Sequence, residues 1–177
     1  MPKKLVGEVR QNNGRNKDTS LLIIDAQSVK NTDTAKEKGY DGGKNVSGIK
    51  RHIAVDTNGL LHAAHVTTAN ISDKAGAKTL VANHQTKLQQ VEKVLVDGGY
   101  IGQPFADAIQ ESIHAEVEVV KRSELHSFKV IPKRWVVERS LSWLEKCRRL
   151  WKNCERHLET SLQMVILAFV ALLLKRF

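Results

Sequence analysis

Three carboxylates stand far apart in the sequence, each beside or within an apolar stretch. Asp25 ends a run of four aliphatic residues, and Asp97 ends a run of three. Glu138 lies in the amphipathic stretch 134–139. A carboxylate at the end of a buried strand is costly unless something offsets its charge. In a chain of net charge +9, these acids indicate a bound divalent metal and a polyanionic substrate.

Three carboxylates are enough to hold the metal ions that phosphodiester cleavage uses. That reaction needs an activated water or hydroxyl, neutralised phosphate charge and a stabilised leaving oxygen, which two divalent ions about 3.5–4 Å apart supply together. Magnesium prefers hard oxygen ligands and keeps several waters, so a few carboxylates suffice. We expect two Mg²⁺ ions, with Mn²⁺ as a substitute. Asp25 would bridge both ions, while Asp97 and Glu138 would each hold one.

Each acid also has a purely structural interpretation. Asp25 could cap a turn with the polar side chains two or three residues further on. Asp97 precedes two glycines, so it could form an Asx-turn. Glu138 could pair with Arg134, one helical turn earlier. These alternatives stay open at the level of the sequence.

The composition indicates a single ordered domain with a polyanionic partner. The chain has 177 residues, of which 41% are hydrophobic. That length and composition exclude a disordered or membranous protein. The 28 Lys and Arg residues outnumber the 19 Asp and Glu residues, and the pI is near 9.7. This excess favours nucleic acid as the partner, although ordinary solubilising charge is the alternative.

Basic residues concentrate around and beyond Glu138. We predict DNA contacts for Arg134, Arg139, Lys146 and Arg148. Such residues bind phosphates and position DNA without reading its sequence. The alternative is a solvated basic face of a helix.

The apolar periodicity and turn signals define the elements that would position these residues. A hairpin that turns through Asp56–Thr57–Asn58–Gly59 precedes alternating strands and helices, which predicts a mixed sheet flanked by helices, an α/β fold. Asp56 is therefore interpreted as a turn residue. The predicted elements are strand 21–25, loop 30–48, strands 49–55 and 60–67, helix 73–88, strand 91–97, helix 103–111, strand 117–120 and helices 134–156 and 159–175.

The two ends of the chain carry further predictions. Residues 1–19 are polar with little periodicity, which predicts a flexible leader before a catalytic domain at 20–177. The apolar run Met164–Leu174 is too short for a bilayer, which needs about 20 residues, and indicates a buried helix. No signal peptide opens the chain, so we expect a cytoplasmic protein without membrane contact.

Cys147 and Cys154 are the only cysteines in the sequence. Their spacing does not suit a routine disulfide within one helix, so reduced thiols are the simpler interpretation. A zinc site with His157 is a weak alternative, since no fourth ligand is evident.

Six short blocks of the sequence resemble the DDE transposases of bacterial insertion sequences, in the group named for insertion sequence five. Their order and spacing together are specific, although each is short. The resemblance covers about residues 20–175. The blocks are residues 24–30, 39–44, 50–56, 72–77, 97–102 and 134–139.

The resemblance implies a ribonuclease-H-like catalytic domain with an Asp-Asp-Glu triad and two magnesium ions. Enzymes of this kind nick transposon ends and join the free 3′-hydroxyl to target DNA. The triad would be Asp25, Asp97 and Glu138. The implied partners are double-stranded DNA, as transposon ends and target, and a second copy of the chain in a homo-oligomer. The implied location is the bacterial nucleoid.

The sequence differs from the family pattern, or from some of its members, in four respects. Ile131 stands where the family has Tyr, and Glu145 stands where it has Lys, with Lys146 one residue later. Only 40 residues separate Asp97 from Glu138, which leaves no room for a large inserted domain. Residues 1–19 cannot supply the family's upstream helical DNA-binding region. We therefore expect a partner polypeptide, a split reading frame or a remnant; a nuclease or a non-catalytic DNA-binding remnant are the alternative functions.

Overall fold

The computed structural model describes residues 3–120 and 134–175. Within them the chain forms six strands and six α-helices, with a 3-10 turn at Gly98–Tyr100. The elements in chain order are α1 (Lys3–Asn12), β1 (Leu21–Lys30), β2 (Gly39–Asp41), β3 (Val46–Val55), β4 (Leu61–Thr68), α2 (Asp73–Ala82), α3 (Gln85–Leu88), β5 (Lys93–Asp97), α4 (Gln103–Ile113), β6 (Glu116–Val120), α5 (Arg134–Lys146) and α6 (Leu158–Leu174).

All six strands belong to one mixed sheet. The order is β2-β3-β1-β5-β6, with β4 also paired to β3. The hairpin of β3 and β4 and the pairing of β1 with β3 are antiparallel, whereas β1–β5 and β5–β6 are parallel. The central strand β1 therefore joins the antiparallel half of the sheet to the parallel half.

Helices cover both faces of this sheet. On one face, Leu22 and Ile24 of β1 pack with residues of α2 and α4. On the other face, Ile23 packs with Val137 of α5 and Phe169 of α6. Successive side chains of a strand point to opposite faces, which explains why neighbouring residues enter different clusters. The predicted fold class, a mixed sheet flanked by helices, is confirmed.

The predicted hairpin and the turn role of Asp56 are also confirmed. The Asp56 carboxylate accepts hydrogen bonds from the amides of Asn58 (2.8 Å) and Leu60 (3.1 Å). Gly59 has a φ of +77°, a conformation that glycine adopts without steric cost. The Asn-Gly signal thus identified the turn correctly.

Part of the flexible leader predicted for residues 1–19 is helical in the structure, as α1 (Lys3–Asn12). Val6 and Val9 of α1 are buried with Leu60 and Leu173. Arg10 is also buried, and its guanidinium donates to the Asp56 carboxylate. Two apolar side chains and one arginine are enough to dock the helix, because each has a partner elsewhere in the fold. The other residues of this segment are mostly polar, so the sequence pattern did not predict the helix.

Four other element predictions were wrong in their extents. The predicted loop 30–48 contains β2 and the start of β3, and β1 continues past Asp25 to Lys30. The predicted helix 73–88 is two helices. The helix predicted for 134–156 ends at Lys146, because the buried Arg51 guanidinium donates to the Leu150 carbonyl (2.7 Å) and holds the following segment in an irregular path.

The apolar run near the C-terminus lies in α6, as predicted. Val165, Phe169 and Leu173 are its buried positions and pack on the sheet or on α1. Among the described residues, no helix combines the length and apolarity needed to cross a bilayer.

Candidate active site

The two aspartates occupy equivalent positions on neighbouring parallel strands. The β1–β5 pairing runs from Leu21↔Lys93 to Ile23↔Leu95. Asp25 and Asp97 each lie two residues beyond that last pair. Neighbouring strands are about 4.8 Å apart. The sheet therefore brings together two carboxylates that are 72 positions apart in the sequence, at the point where the parallel ladder ends.

Strand alternation also puts the two aspartates on the same face of the sheet. Asp25 follows the orientation of Ile23, and Asp97 follows that of Leu95. Ile23 and Leu95 both belong to the core cluster that contains α5. The aspartates therefore lie on the face against which the helix of Glu138 packs.

Tyr100 lies in the 3-10 turn that directly follows Asp97. Tyr100 is 1% exposed, and its hydroxyl has no hydrogen-bond partner within the described part of the chain. Burial raises the pKa of Tyr100, and the negative charges of Asp25, Asp73 and Asp97 raise it further. The charges of Asp25 and Asp97 therefore act in the same direction on the Tyr100 hydroxyl.

Local hydrogen bonds orient each aspartate. The Asp25 carboxylate accepts from the Ala26 amide (2.8 Å). The Asp97 carboxylate accepts from the Gly99 amide (2.9 Å) and caps the 3-10 turn that follows. The Asx-turn considered for Asp97 is therefore present. Because this turn uses one carboxylate oxygen, it orients the side chain and is compatible with metal binding by the other.

Glu138 is exposed on α5. Glu145 lies two helical turns further along the same face of the helix. The Glu145 carboxylate accepts a hydrogen bond from Gln27 (2.7 Å), which is two residues beyond Asp25 on β1. The face of α5 that carries Glu138 is thus directed toward the side of β1 that carries Asp25.

These three carboxylates do not form a closed metal cage. Within residues 3–120 and 134–175, no group of three or more His, Cys, Asp or Glu side chains is arranged to hold one ion. The donor chemistry nevertheless fits a hard divalent cation, because all the candidate ligands are carboxylates and such a cation keeps several waters. Of these candidate ligands, Asp25 and Asp97 are the two that the parallel strands β1 and β5 position.

A lysine-containing cluster lies beside Asp25. Lys50 is buried and bridges Asp41 (3.2 Å) and Asp73 (2.8 Å). Lys44 is within 3.5 Å of Asp73 and of the carbonyl of Ala26, the residue after Asp25. The sequence blocks 39–44, 50–56 and 72–77 contain these residues, but their roles were not predicted. The pattern that could have revealed them is the run of basic residues Lys50-Arg51-His52 between apolar residues of one strand.

Hydrogen bonding in this cluster fixes the charge of Asp41. A hydrogen bond from Ser28 (2.6 Å), together with those from Lys50 and the Lys44 amide, lowers the pKa of Asp41 to about 2 against the opposing effect of burial. Asp41 is therefore ionised at neutral pH and holds Lys50 in place.

The residues predicted to contact DNA have different surroundings. The Arg139 guanidinium lies between the rings of Trp135 (4.5 Å) and Trp143 (4.8 Å), so cation–π contacts hold it on α5. Lys146 and Arg148 are exposed. Arg134 begins α5, but its side chain and the whole of Ile131 lie outside the described residues.

Both cysteines are free thiols. Cys147 and Cys154 are partly exposed, and neither forms a disulfide. The Cys147 thiol donates to the Trp143 carbonyl (3.5 Å).

Comparison with known proteins identifies the family. Residues 16–174 match the family described as "Transposase DDE domain". The chain therefore belongs to the transposase DDE domain family. Its insertion-sequence character, predicted from the six blocks, is confirmed by a relative from Burkholderia cepacia, described as "Putative transposase for insertion sequence element IS402". The two are 33% identical over 116 residues, which cover 62% of this chain and 54% of the relative. The chain spans about half the length of that relative.

Two solved structures also resemble the chain. One is the crystal structure of the Mos1 mariner paired end complex with Mn, with a TM-score of 0.38 and 10% identity over 98% of this chain and 60% of that one. The other is the Mos1 transposase paired-end complex with left transposon end, with a TM-score of 0.37 and 12% identity over 98% and 59% of the two chains. TM-scores this low add nothing to the family assignment.

Proposed function

We propose that this chain is the catalytic part of a transposase, which cuts DNA and transfers the cut strand by means of divalent metal at Asp25, Asp97 and Glu138. The observation that supports the proposal is that Asp25 and Asp97 each lie two residues beyond the last pair of the parallel β1–β5 ladder, Ile23 and Leu95. Membership of the transposase DDE domain family supports it. Its place of action would be the DNA of the bacterial cytoplasm.

The carboxylates would hold the metal, and the rest of the fold would orient them. Mg²⁺, or Mn²⁺ in its place, would supply an activated attacking oxygen and neutralise charge on the phosphate. The turn at Gly99 orients Asp97, and the Ala26 amide orients Asp25. Packing of Val137 against the sheet positions α5, and therefore Glu138.

Basic side chains would position the DNA. Lys44 lies next to the residue that follows Asp25, so it is suited to a phosphate near the cleaved bond. Lys146 and Arg148 are exposed at and beyond the end of α5 and would contact the backbone further away. Such contacts add affinity without sequence specificity. Joining of two transposon ends would require a second copy of the chain, and recognition of the end sequence would require a further region or partner.

A non-catalytic DNA-binding protein is the second candidate function. It is favoured by the lack of a preassembled three-ligand metal group among the described residues. It predicts salt-sensitive DNA binding without metal-dependent cleavage. A nuclease of the same fold would cleave DNA but not join it.

A joining assay separates these functions. We expect the protein, in Mg²⁺ or Mn²⁺, to nick a plasmid carrying the DNA that flanks its gene, and to join pre-cut ends with free 3′-hydroxyls to a second plasmid. Omission of metal should abolish both products. The measurement is the amount of nicked and joined DNA on denaturing gels.

The three possible outcomes are distinct. Nicking and joining together support a transposase. Nicking without joining of pre-cut ends supports a nuclease. Binding without either product would contradict the catalytic proposal and leave the DNA-binding function.

A further inference from the structure

The segment 147–157, here called the basic loop, connects α5 to α6 and is strongly charged. It contains four basic residues, Arg148, Arg149, Lys152 and Arg156, and one acidic residue, Glu155. Sequence periodicity predicted a helix here, so the irregular path needs an explanation in the surrounding contacts.

Buried polar groups hold the basic loop in place. Arg51 of β3 is 1% exposed and donates to the Leu150 carbonyl (2.7 Å). Asn153 is 3% exposed, and its amide donates to the Lys30 carbonyl (2.9 Å). Ser161 donates to the Asn153 side chain (2.7 Å). Burial of such groups is costly unless they are hydrogen-bonded. These hydrogen bonds therefore fix the conformation of the basic loop.

A second set of contacts ties the loop to the end of β1. The Thr32 amide donates to the Asn153 carbonyl (2.9 Å), and the Asn153 side chain donates to that of Asn31 (2.9 Å). The Thr34 hydroxyl donates to the Cys154 carbonyl (2.9 Å). As a result, the basic loop and residues 31–34 form the two sides of one surface feature.

That feature is an open groove of about 830 Å³ whose lining includes three arginines. Arg148, Arg149 and Arg156 line it together with Thr34 and Thr160. Glu155 pairs with Arg149 (2.9 Å), which leaves an excess of positive charge. The N-terminus of α6 is separately satisfied, since the Leu158 amide donates to Glu37 (2.6 Å).

We propose that this groove binds the phosphate backbone of duplex DNA away from the cleaved bond. Arginine is suited to this ligand, because its planar guanidinium matches phosphate oxygens with paired hydrogen bonds. Fixed loop geometry lowers the entropic cost of such binding. The inference rests on the proposed function, since it takes DNA as the substrate of the same molecule.

The position of the groove fits a duplex that extends from the candidate active site. Asn31, which accepts a hydrogen bond from Asn153 of the basic loop, directly follows β1 and is six residues beyond Asp25. An extended strand of that length spans about 20 Å, at about 3.3 Å per residue. This distance corresponds to about six base pairs, at about 3.4 Å each. A duplex of ordinary length is therefore long enough to span this separation.

The test is the salt dependence of DNA binding by a protein with Arg148→Ala and Arg156→Ala. We expect the slope of log affinity against log salt to fall by about 1.8, because each lost phosphate contact removes about 0.9. The measurement is fluorescence anisotropy of a labelled 20-base-pair duplex in EDTA, with Asp25→Asn present in every protein. Since no cleavage is needed, the result is independent of whether the proposed reaction occurs.

Two matched variants control for loss of charge and of folding. The first control, Lys4→Ala with Arg15→Ala, removes two exposed charges in or near α1. Helix α1 packs against the C-terminal end of α6, whereas the groove lies at the N-terminal end, about 24 Å away along the helix. This pair should keep the wild-type slope. The second control, Arg148→Lys with Arg156→Lys, should retain most of the wild-type slope. The proposal is overturned if the protein with Arg148→Ala and Arg156→Ala keeps the wild-type slope. It is also overturned if the protein with Lys4→Ala and Arg15→Ala shows an equal fall in slope.

Discussion

Asp25→Asn and Asp97→Asn should each reduce metal-dependent nicking more than about 100-fold. Loss of an outer partner of a metal ligand typically costs 10- to 100-fold, and loss of the ligand itself should cost more. Glu138→Gln should act in the same direction. The measurement is the initial rate of plasmid nicking in Mg²⁺ and in Mn²⁺, with circular dichroism to verify that each variant is folded.

Two acidic residues outside the candidate site provide matched controls. Asp107→Asn changes an exposed carboxylate on α4 that accepts from Gln103 (2.7 Å). Glu145→Gln changes a carboxylate on the same face of α5 as Glu138, two turns away. Both variants should nick at rates within a few-fold of wild type. Equal rates for the wild type and for all three triad variants would contradict the assignment.

Asp56→Ala should produce the largest loss of stability, about 3–5 kcal/mol. Removing one partner of a buried ion pair leaves the other charge uncompensated. Arg10 would lose its partner inside the protein, because the side chains of Arg10 and Asp56 are 7% and 0% exposed. The turn would also lose its hydrogen bonds to Asn58 and Leu60. We expect the melting temperature to fall by roughly 6–20 °C, measured by calorimetry.

The same carboxylate makes a defined contribution to the pH dependence of stability. Burial raises the pKa of Asp56, but hydrogen bonds from His62, the Leu60 amide and Arg10 outweigh it, and the pKa lies below its usual value. The carboxylate therefore stabilises the fold above its unfolded pKa of about 3.9, and this stability is lost as the pH falls through the folded value.

A surface ion pair on the same helix is the control for Asp56. Asp18 pairs with Lys3 of α1 (3.0 Å), with side chains 39% and 49% exposed. Such exposed pairs contribute about 0–1 kcal/mol. Asp18→Ala should therefore change the free energy of unfolding little. A loss for Asp56→Ala no greater than that for Asp18→Ala would show that the buried pair does not anchor α1.

The sequence predicted the parts of the site that depend on local pattern. Asp25 and Asp97 each end an apolar run, and such runs form the buried parallel strands β1 and β5. The Asn-Gly turn identified the hairpin that flanks them. What the sequence could not show is the register, since pairing of Ile23 with Leu95 depends on how the elements between the two strands, β2 to β4, α2 and α3, pack together.

Elements held by long-range contacts were not predictable. The docking of α1 depends on Arg10 meeting a turn 46 residues away. The end of α5 depends on Arg51, which is 99 residues from its partner Leu150. In both cases a buried arginine satisfies groups of a distant segment. Local periodicity contains no information about such partners, so residues 1–19 and 147–156 were misassigned.

Manganese binding to crystals of the protein tests the central claim most directly. Crystals soaked in Mn²⁺ should show anomalous density between the carboxylates of Asp25 and Asp97, and the same soak of Asp25→Asn crystals should show much weaker density there. Manganese bound only elsewhere, or the two carboxylates directed into separate pockets, would contradict the account.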